Sequence, residues 1–192
     1  MTKKEELIVL LKEIKEKQIL ENLEVRKIIS RNLIEEGVGF DNNHTCYHSY
    51  DNINDIIVGL FISANNFGIY YNNEYIGIIS AYYQYYKDLS RLEFAICIKE
   101  EYRNIGIGKY CYDILIDQYF KSDSIKSIHL TIREDNKGSR LLAEKCGFKL
   151  YPGYKVNKIF KDEDGNKYPQ VQYLLKKKDY QMRWYNVRNK VQ

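Results

Sequence analysis

The sequence predicts an α/β protein with one mixed β-sheet flanked by helices, and three observations support this prediction. The 192 residues are 44% hydrophobic and 29% charged, with only 2 prolines, which is the composition of a globular protein. This length suits one domain with its own core, so we interpret 1–192 as a single domain. Segments with helical spacing of apolar residues alternate with short β-branched and aromatic runs, as in helices packed on a sheet.

The first 40 residues predict an N-terminal helical segment. Apolar residues recur at helical spacing over 2–19, and the same spacing predicts a second helix over 23–36 with Gly37 as its stop. A polar loop follows over 41–55, and a short helix is predicted around 54–63.

The remainder of the chain changes period several times. The run 67–86 predicts a β-hairpin, because Asn72 and Asn73 can adopt turn dihedrals between two tyrosine-rich strands. Further strands are predicted over 91–98, 125–132, 149–156 and 169–175, and helices over 105–120 and 136–146, the latter stopped by Gly147.

The charge distribution argues against a broad nucleic-acid surface. The net charge is +4, but residues 176–192 carry six basic residues and one acidic residue, so the rest of the chain is close to neutral. This basic tail is the one segment that favours polyanions. No apolar run approaches the length of a membrane span, and we expect a cytoplasmic protein without a membrane partner.

Three other features are interpreted as structural. The cysteines at 46, 97, 111 and 146 form no CxxC pair and are expected to be reduced. The segment "HTCYH" at 44–48 lacks a spaced second ligand pair, so we interpret it as a polar loop and predict no metal site. The tyrosine-rich run 67–86 contains no Lys or Arg, which disfavours binding of single-stranded nucleic acid.

The stretch "EYRNIGIGKY" places Gly106 and Gly108 directly before a predicted helix. Glycine allows a close approach of backbone to ligand, and a helix N-terminus offers unpaired N–H groups, so this pattern favours an anion such as phosphate. A dinucleotide fold requires a third glycine where Cys111 stands. A Walker A loop requires a glycine at position 103 and a Ser or Thr directly after Lys109, but these positions hold Arg103 and Tyr110. Neither nucleotide-binding motif is therefore matched.

A second motif lies about thirty residues downstream. Asn136 opens a predicted helix that ends in Glu-Lys-Cys-Gly-Phe at 144–148. Together with Arg103-x-x-Gly106-x-Gly108 and the preceding Glu101-Tyr102, this order resembles the GNAT superfamily of acyl-CoA-dependent N-acyltransferases. The resemblance covers about residues 67–175.

The resemblance implies a GNAT-like fold whose central strands splay apart, with acetyl-CoA bound between them as co-substrate. Its pyrophosphate would lie on the backbone N–H groups at the start of the helix, and its pantetheine arm along the preceding strand. The cofactor-binding residues implied are Ile96, Cys97, Ile98, Arg103, Asn104, Ile105, Gly106, Ile107, Gly108, Lys109, Asn136 and Ser139. Short polar residues at a helix start also serve as caps, and that interpretation stays open for Asn136 and is favoured for Ser139.

Glu93 is the candidate catalytic residue. It lies on a narrow face with Ala95 and Cys97, ten residues before Arg103, where many members of the family carry a glutamate that deprotonates the amine. A structural ion pair is an equal alternative. One departure concerns Ala143, because many members carry a tyrosine there that protonates the leaving thiolate. This pattern is closer to the ribosomal-protein N-acetyltransferase subgroup, and a tyrosine from 82–86 or water could substitute.

The sequence therefore predicts an N-acetyltransferase that moves the acetyl group of acetyl-CoA to a primary amine by direct attack in a ternary complex. The acceptor is a small amine or a protein N-terminus, and a homodimer is left open. The alternative is a non-catalytic module, either a CoA-binding scaffold or a protein that uses its basic tail on nucleic acid or ribosomes.

Overall fold

The computed structural model describes residues 21–40, 53–85, 88–152, 160–161 and 167–182. Within these ranges the helices are α1 (Arg31–Gly39), α2 (Ile53–Ser63), α3 (Ile107–Phe120) and α4 (Lys137–Lys145). The strands are β1 (Leu23–Ile28), β2 (Ala64–Tyr71), β3 (Glu74–Tyr85), β4 (Asp88–Ile98), β5 (Ser127–Arg133), β6 (Lys149–Leu150), β7 (Phe160–Lys161), β8 (Lys167–Tyr168) and β9 (Gln170–Lys176).

One seven-stranded sheet in the order β1-β2-β3-β4-β5-β9-β6 organises the described fold. All neighbouring strands are antiparallel except β4 and β5, which run parallel. Strands β7 and β8 form a separate two-stranded ladder. The predicted mixed α/β architecture is therefore confirmed.

Helices cover both faces of the sheet. On one face, α1 and α2 pack on β3 and β4 through a small core that includes Ile34, Ile57, Ile78 and Cys97. On the other face, α3 and α4 pack on β2 to β5 and β9 through a larger core. Because alternate residues of a strand point to opposite faces, Glu93, Ala95 and Cys97 lie on the α1/α2 face of β4.

The prediction of a helix over 23–36 is wrong in its first half. Residues 23–28 form the edge strand β1, where Val25 pairs with Ile69 of β2 in antiparallel register. The apolar spacing that imitated one long helix is divided between this strand and α1, and Ile29 between them is 82% exposed. Pairing to a neighbouring strand, which a local pattern does not encode, overrides the helical spacing.

Gly37 is not the stop that was predicted, because α1 continues to Gly39. A Cβ at Gly37 would lie 2.4 Å from the Tyr75 hydroxyl oxygen and 2.8 Å from Ile78 Cβ. Gly37 is buried and lets the helix approach β3 closely.

The hairpin and the following elements agree with the predictions. Asn72 and Asn73 have φ values of 50° and 64° and form the turn between β2 and β3. Gly147 has a φ of 91° and ends α4, with hydrogen bonds from Gly147 N–H to Glu144 O and from Phe148 N–H to Ala143 O.

The C-terminal predictions are met in part. The predicted strand over 149–156 is represented by the short β6, and 153–159 lie outside the described residues. The basic tail begins with Lys176 as the last residue of β9, and the chain is helical over 177–182. The helix predicted over 2–19 and the "HTCYH" loop lie outside the described residues. In the described part of the chain, every helix is too short or too polar for a bilayer span.

Candidate active site

The central feature of the sheet is a gap that opens between β4 and β5. The two strands pair only where Arg91, Leu92 and Glu93 face Ser127, Ile128 and His129. Beyond that point β4 continues along β3 as far as Ile98, whereas β5 continues along β9 as far as Arg133. The expected splay of the central strands is confirmed, and Glu93 and His129 are the last pair before it.

The N-terminus of α3 follows the end of β4 and has no side-chain cap. Gly106 is the N-cap residue with a φ of 100°, and Asn104 before it has a φ of 63°. The first backbone hydrogen bond of the helix runs from Tyr110 N–H to Gly106 O, so the N–H groups of residues 107–109 have no partner within the helix. An anion at this end would receive these N–H groups and the favourable end of the helix dipole.

Gly106 and Gly108 contribute in different ways. A Cβ at Gly106 would meet nothing within 4 Å, so this glycine is required by its positive φ and leaves open space beside the helix end. A Cβ at Gly108 would lie 3.0 Å from Leu142 Cδ2 of α4 and 3.7 Å from Ile98 Cδ1. Gly108 therefore allows the first turn of α3 to pack against α4 and the end of β4.

The Arg103 side chain holds the loop before α3. Its Nε donates to Ile98 O at 2.8 Å and one terminal nitrogen donates to Phe40 O at 3.0 Å. These bonds connect the loop to the end of β4 and to the end of α1. Lys109 in the first turn of α3 forms an ion pair with Asp113 one turn later.

The start of α4 is satisfied by its own residues. Asn136 is the N-cap residue, and its Oδ1 accepts a hydrogen bond from Ser139 N–H at 3.0 Å. Ser139 contributes its backbone N–H to this cap, whereas its hydroxyl is not the capping group. Of the two helix starts on this face, α4 has a side-chain cap and α3 has none.

Glu93 is buried at the point where β4 and β5 separate, with 6% of its surface exposed. Burial raises the pKa of its carboxyl group, and hydrogen bonds from the side chain and backbone of Thr131 act in the opposite direction. The structural ion pair considered for Glu93 is not found among the described residues. Its partner is Thr131, two residues beyond its neighbour His129.

A row of polar side chains next to Glu93 was not predicted from the sequence. Ser127, His129 and Thr131 of β5 lie on the same face as Glu93, together with Gln172 of β9. Ser127 Oγ lies 2.9 Å from His129 Nε2. Burial and the nearby Arg91 guanidinium lower the pKa of His129, which favours the neutral imidazole. The signal was available as the strict alternation of polar and apolar residues in "SIHLTIR".

The described cysteines belong to the core. Cys97, Cys111 and Cys146 are buried, and burial raises the pKa of the Cys111 thiol to about 12, which keeps it protonated. Ala143 is fully buried in α4. No group of three His, Cys, Asp or Glu side chains is arranged for a metal ion in the part of the chain that the structure describes.

A family model for the acetyltransferase (GNAT) family matches residues 31–148, which is more than half of the chain. The chain belongs to the GNAT acetyltransferase family. Proteins of this family use acetyl-CoA to acetylate amines, and this GNAT domain is an acyltransferase of that class. Among curated proteins, none matches the chain significantly in sequence.

Solved structures with the same fold include acetyltransferases with different acceptors. A chimera of the spermidine N-acetyltransferase SpeG from Vibrio cholerae and hSSAT is 18% identical with a TM-score of 0.64, covering 83% of this chain and 98% of that one. The ribosomal-protein α-N-acetyltransferase RimL, in complex with coenzyme A, is 16% identical with a TM-score of 0.61, covering 81% and 94%. A putative acetyltransferase from Acinetobacter baylyi is 16% identical with a TM-score of 0.62, covering 80% and 92%. These likenesses establish the fold and leave the acceptor undetermined.

Proposed function

We propose that this GNAT domain transfers the acetyl group of acetyl-CoA directly to a primary amine within a ternary complex. The observation that carries the proposal is the gap between β4 and β5, which has the uncapped start of α3 on one side and Glu93 at its closed end. Donor and acceptor would meet in this gap, so the two reactants would be oriented before the reaction.

The residues around α3 suit the diphosphate of the donor. The N–H groups of residues 107–109 would donate to its oxygens, and open space beside Gly106 would admit them. Arg103 would act mainly by holding the loop through its bonds to Ile98 and Phe40. The end of β4, at Ile96, Cys97 and Ile98, would border the pantetheine arm. The Asn136 side chain caps α4 through Oδ1, so its Nδ2 group would donate to the arm.

Glu93 would remove the proton that the attacking amine must lose. The amine nitrogen forms the new C–N bond while the C–S bond of the thioester breaks, and Glu93 accepts the proton directly or through water. A carboxyl group whose pKa is raised by burial is a stronger base than an exposed one, and Thr131 keeps it oriented at the closed end of the gap.

The leaving thiolate would be protonated by water or by Tyr82. Ala143 leaves the usual position without an acid. Tyr82 is the cross-strand partner of Glu93 in the β3–β4 register and so lies on the same face of the sheet. The acceptor would be a small-molecule amine or a protein N-terminus, and a cytoplasmic location and a homodimer stay predictions.

The diphosphate site is tested by two variants of nearly equal shape, Gly106→Asp and Gly106→Asn. Both residues tolerate a positive φ better than most, so both should fold. We expect Gly106→Asn to weaken acetyl-CoA binding moderately in calorimetric titration. Gly106→Asp should weaken it at least tenfold further, because its carboxylate would compete for the same N–H groups and repel the diphosphate. S-acetylpantetheine, which lacks the diphosphate, should bind the two variants equally.

Equal affinities of the Asp and Asn variants for acetyl-CoA would show that the diphosphate does not bind at the start of α3. No binding of acetyl-CoA to the wild-type protein at submillimolar concentration would overturn the proposal as a whole. Activity is tested with a panel of amines and a free-thiol assay, which detects released CoA whatever the acceptor is.

A further inference from the structure

The α1/α2 face of β5 and β9 is largely polar, and several of its side chains are buried. On this face β5 presents Ser127, His129 and Thr131, whereas its other face presents Ile128, Leu130 and Ile132 to the main core. Gln172 of β9 is 1% exposed and His129 is 5% exposed. Thr131 and Gln170 on the same face are half-buried. Buried polar side chains at the centre of a sheet are unusual and favour a binding role.

Four buried polar atoms on this face make no hydrogen bond within the described part of the chain. They are His129 Nδ1, both side-chain atoms of Gln172, Oε1 and Nε2, and Nε2 of Gln170. Gln172 and His129 make a hydrogen-bond contact that opposes the lowering of the His129 pKa, but this contact falls outside normal hydrogen-bond geometry. Each buried polar group without a partner costs about 1–3 kcal/mol. The two such atoms of Gln172 therefore indicate that a group from outside the described chain completes their hydrogen bonds.

Gln172 lies beside Thr131, which is the hydrogen-bond partner of Glu93. Thr131 donates to the Glu93 carboxyl group and faces Gln172 directly in the antiparallel β5–β9 register. Facing Cβ atoms in such a pair are about 4.5–5.5 Å apart, and one extended peptide residue spans about 3.3–3.6 Å. A molecule whose amine lies at Glu93 would therefore reach Gln172 with a group one to two residues further along.

The hydrogen-bonding groups of Gln172 distinguish two classes of acetyl acceptor, peptides and polyamines. A primary amide offers one hydrogen-bond acceptor and two donors, and a peptide group, with its C=O and N–H, matches both. A polyamine presents N–H donors and methylene groups, so it would leave Gln172 Nε2 without a partner. Arg133, the described cation on this face of β5, is already held by Asp135 and lies over the Tyr168 ring at 3.6 Å.

We propose that the acceptor is the α-amino group of a peptide or an amino-acid amide, and that Gln172 determines this specificity by pairing with the first peptide group. This inference rests on the proposed function and names its acceptor class. His129 borders the same row and would present Nδ1 to the bound amide.

The test compares three acceptors, namely a tripeptide with a free N-terminus, L-alaninamide and spermidine, in the free-thiol assay. Wild-type protein should acetylate the tripeptide and L-alaninamide with a higher kcat/KM than spermidine. Gln172→Leu should lower kcat/KM for both amides at least tenfold, mainly through KM, and change that for spermidine less than threefold. Gln170→Leu is the matched control, because Gln170 lies on the same strand and face but one row further from Glu93. It should leave L-alaninamide kinetics within about threefold of wild type.

Folding does not confound this test. Gln172→Leu removes two buried groups without partners, so it should be at least as stable as wild type in urea. Preference for spermidine over both amides, or an equal loss for all three acceptors in Gln172→Leu, would overturn the inference and leave the acetyltransferase function intact. Acetyl-CoA binding without transfer to any amine of the wider panel would instead overturn the proposed function, and the inference with it.

Discussion

Glu93 combines two properties that rarely occur together in a structural residue. Its carboxyl group is almost completely buried, yet the described part of the chain gives it no cationic partner. Thr131 supplies hydrogen bonds that orient the group but do not neutralise it. Such a carboxyl group is held at a cost to stability, which is expected where a chain reserves a base for catalysis.

Glu93→Gln should separate catalysis from stability. The glutamine keeps the shape and one acceptor for Thr131, so we expect acetyl-CoA affinity within about threefold of wild type and kcat lower by about 10²-fold or more. In the proposed mechanism the ionised carboxylate of Glu93 is the active form, so wild-type kcat should rise with pH through a pKa above the ordinary value of 4.5. This rise should be absent in the variant. Steady-state rates across pH measure both effects.

Glu93→Gln should lower activity but increase the stability of the protein relative to wild type. Because burial raises the folded-state pKa, the unfolded chain ionises first, and wild-type stability falls as pH increases from the unfolded toward the folded pKa. Glu93→Gln carries no such charge, so its stability relative to wild type should improve over that interval. Urea unfolding at two pH values measures the difference. A variant that loses stability and leaves kcat unchanged would assign Glu93 a structural role.

The candidate site was predictable in part from single residues. Gly106, Gly108 and Glu93 could be recognised because their proposed roles depend on local backbone conformation or on spacing along one strand. Gln172 could not be recognised, because only the β5–β9 register brings it beside Thr131, and 36 residues separate these strands in sequence. The role of Arg103 as a loop anchor likewise depends on Phe40, which is distant in sequence.

At the scale of elements, α1 is positioned by the contact of one glycine with β3. Gly37 lies against Tyr75 and Ile78, and the Tyr75 hydroxyl donates to Leu33 O at 2.8 Å. This contact brings α1 onto the sheet and places its C-terminus near Arg103, which donates to Phe40 O. The packing of α1 and the loop before α3 are thus connected.

Gly37→Ala and Gly39→Ala form a matched pair on this helix. The new Cβ at 37 would overlap Tyr75 and Ile78, so we expect a loss of about 1–3 kcal/mol in the free energy of unfolding. At 39 it would meet nothing within 4 Å, and stability should stay within about 0.5 kcal/mol of wild type or increase. Thermal unfolding would show a fall of about 2–4 °C per kcal/mol for Gly37→Ala. Equal effects at both positions would contradict this account of the packing.

Elements defined by local chemistry were predictable, and elements defined by pairing were not. The hairpin turn at Asn72 and Asn73 and the glycine end of α4 follow from φ values that few residues adopt. Strand β1 was predicted as helix, because its apolar residues continue the spacing of α1 and only its pairing with β2 identifies it as a strand. A sequence pattern records periodicity but not the neighbour that satisfies the backbone.

At the scale of the whole molecule, the gap in the sheet follows from strand topology. The parallel pair β4 and β5 is embedded between antiparallel partners, β3 on one side and β9 on the other. After three paired positions each strand follows its antiparallel partner, and antiparallel pairing is the slightly more stable arrangement. The gap is therefore maintained by the sheet itself.

The end of the described chain returns to α3 and closes the side of the molecule opposite the α3 N-terminus. Lys177, the residue after β9, donates to Ser122 O and pairs with Asp123 at 2.8 Å. The Tyr180 ring packs against Phe120, with 5.4 Å between centroids. The first residues of the basic tail thus serve the fold, and Lys177 is not available to a polyanion.

Tyr180→Ala tests whether this segment stabilises the domain. Tyr180 is half-buried and packs on the buried end of α3, so its truncation should lower the free energy of unfolding by about 1–2 kcal/mol. Thermal unfolding should then shift downward by about 2–8 °C. Met182→Ala is the control, because Met182 lies in the same helical segment but is 58% exposed, and its effect should stay within about 0.5 kcal/mol. Acetyl-CoA affinity should be unchanged in both variants, since Phe120 lies at the far end of α3 from Gly106. Equal stability of Tyr180→Ala and wild type would show that the contact of Tyr180 with Phe120 does not stabilise the domain, and only Lys177 of the described tail beyond β9 would then be assigned to the fold.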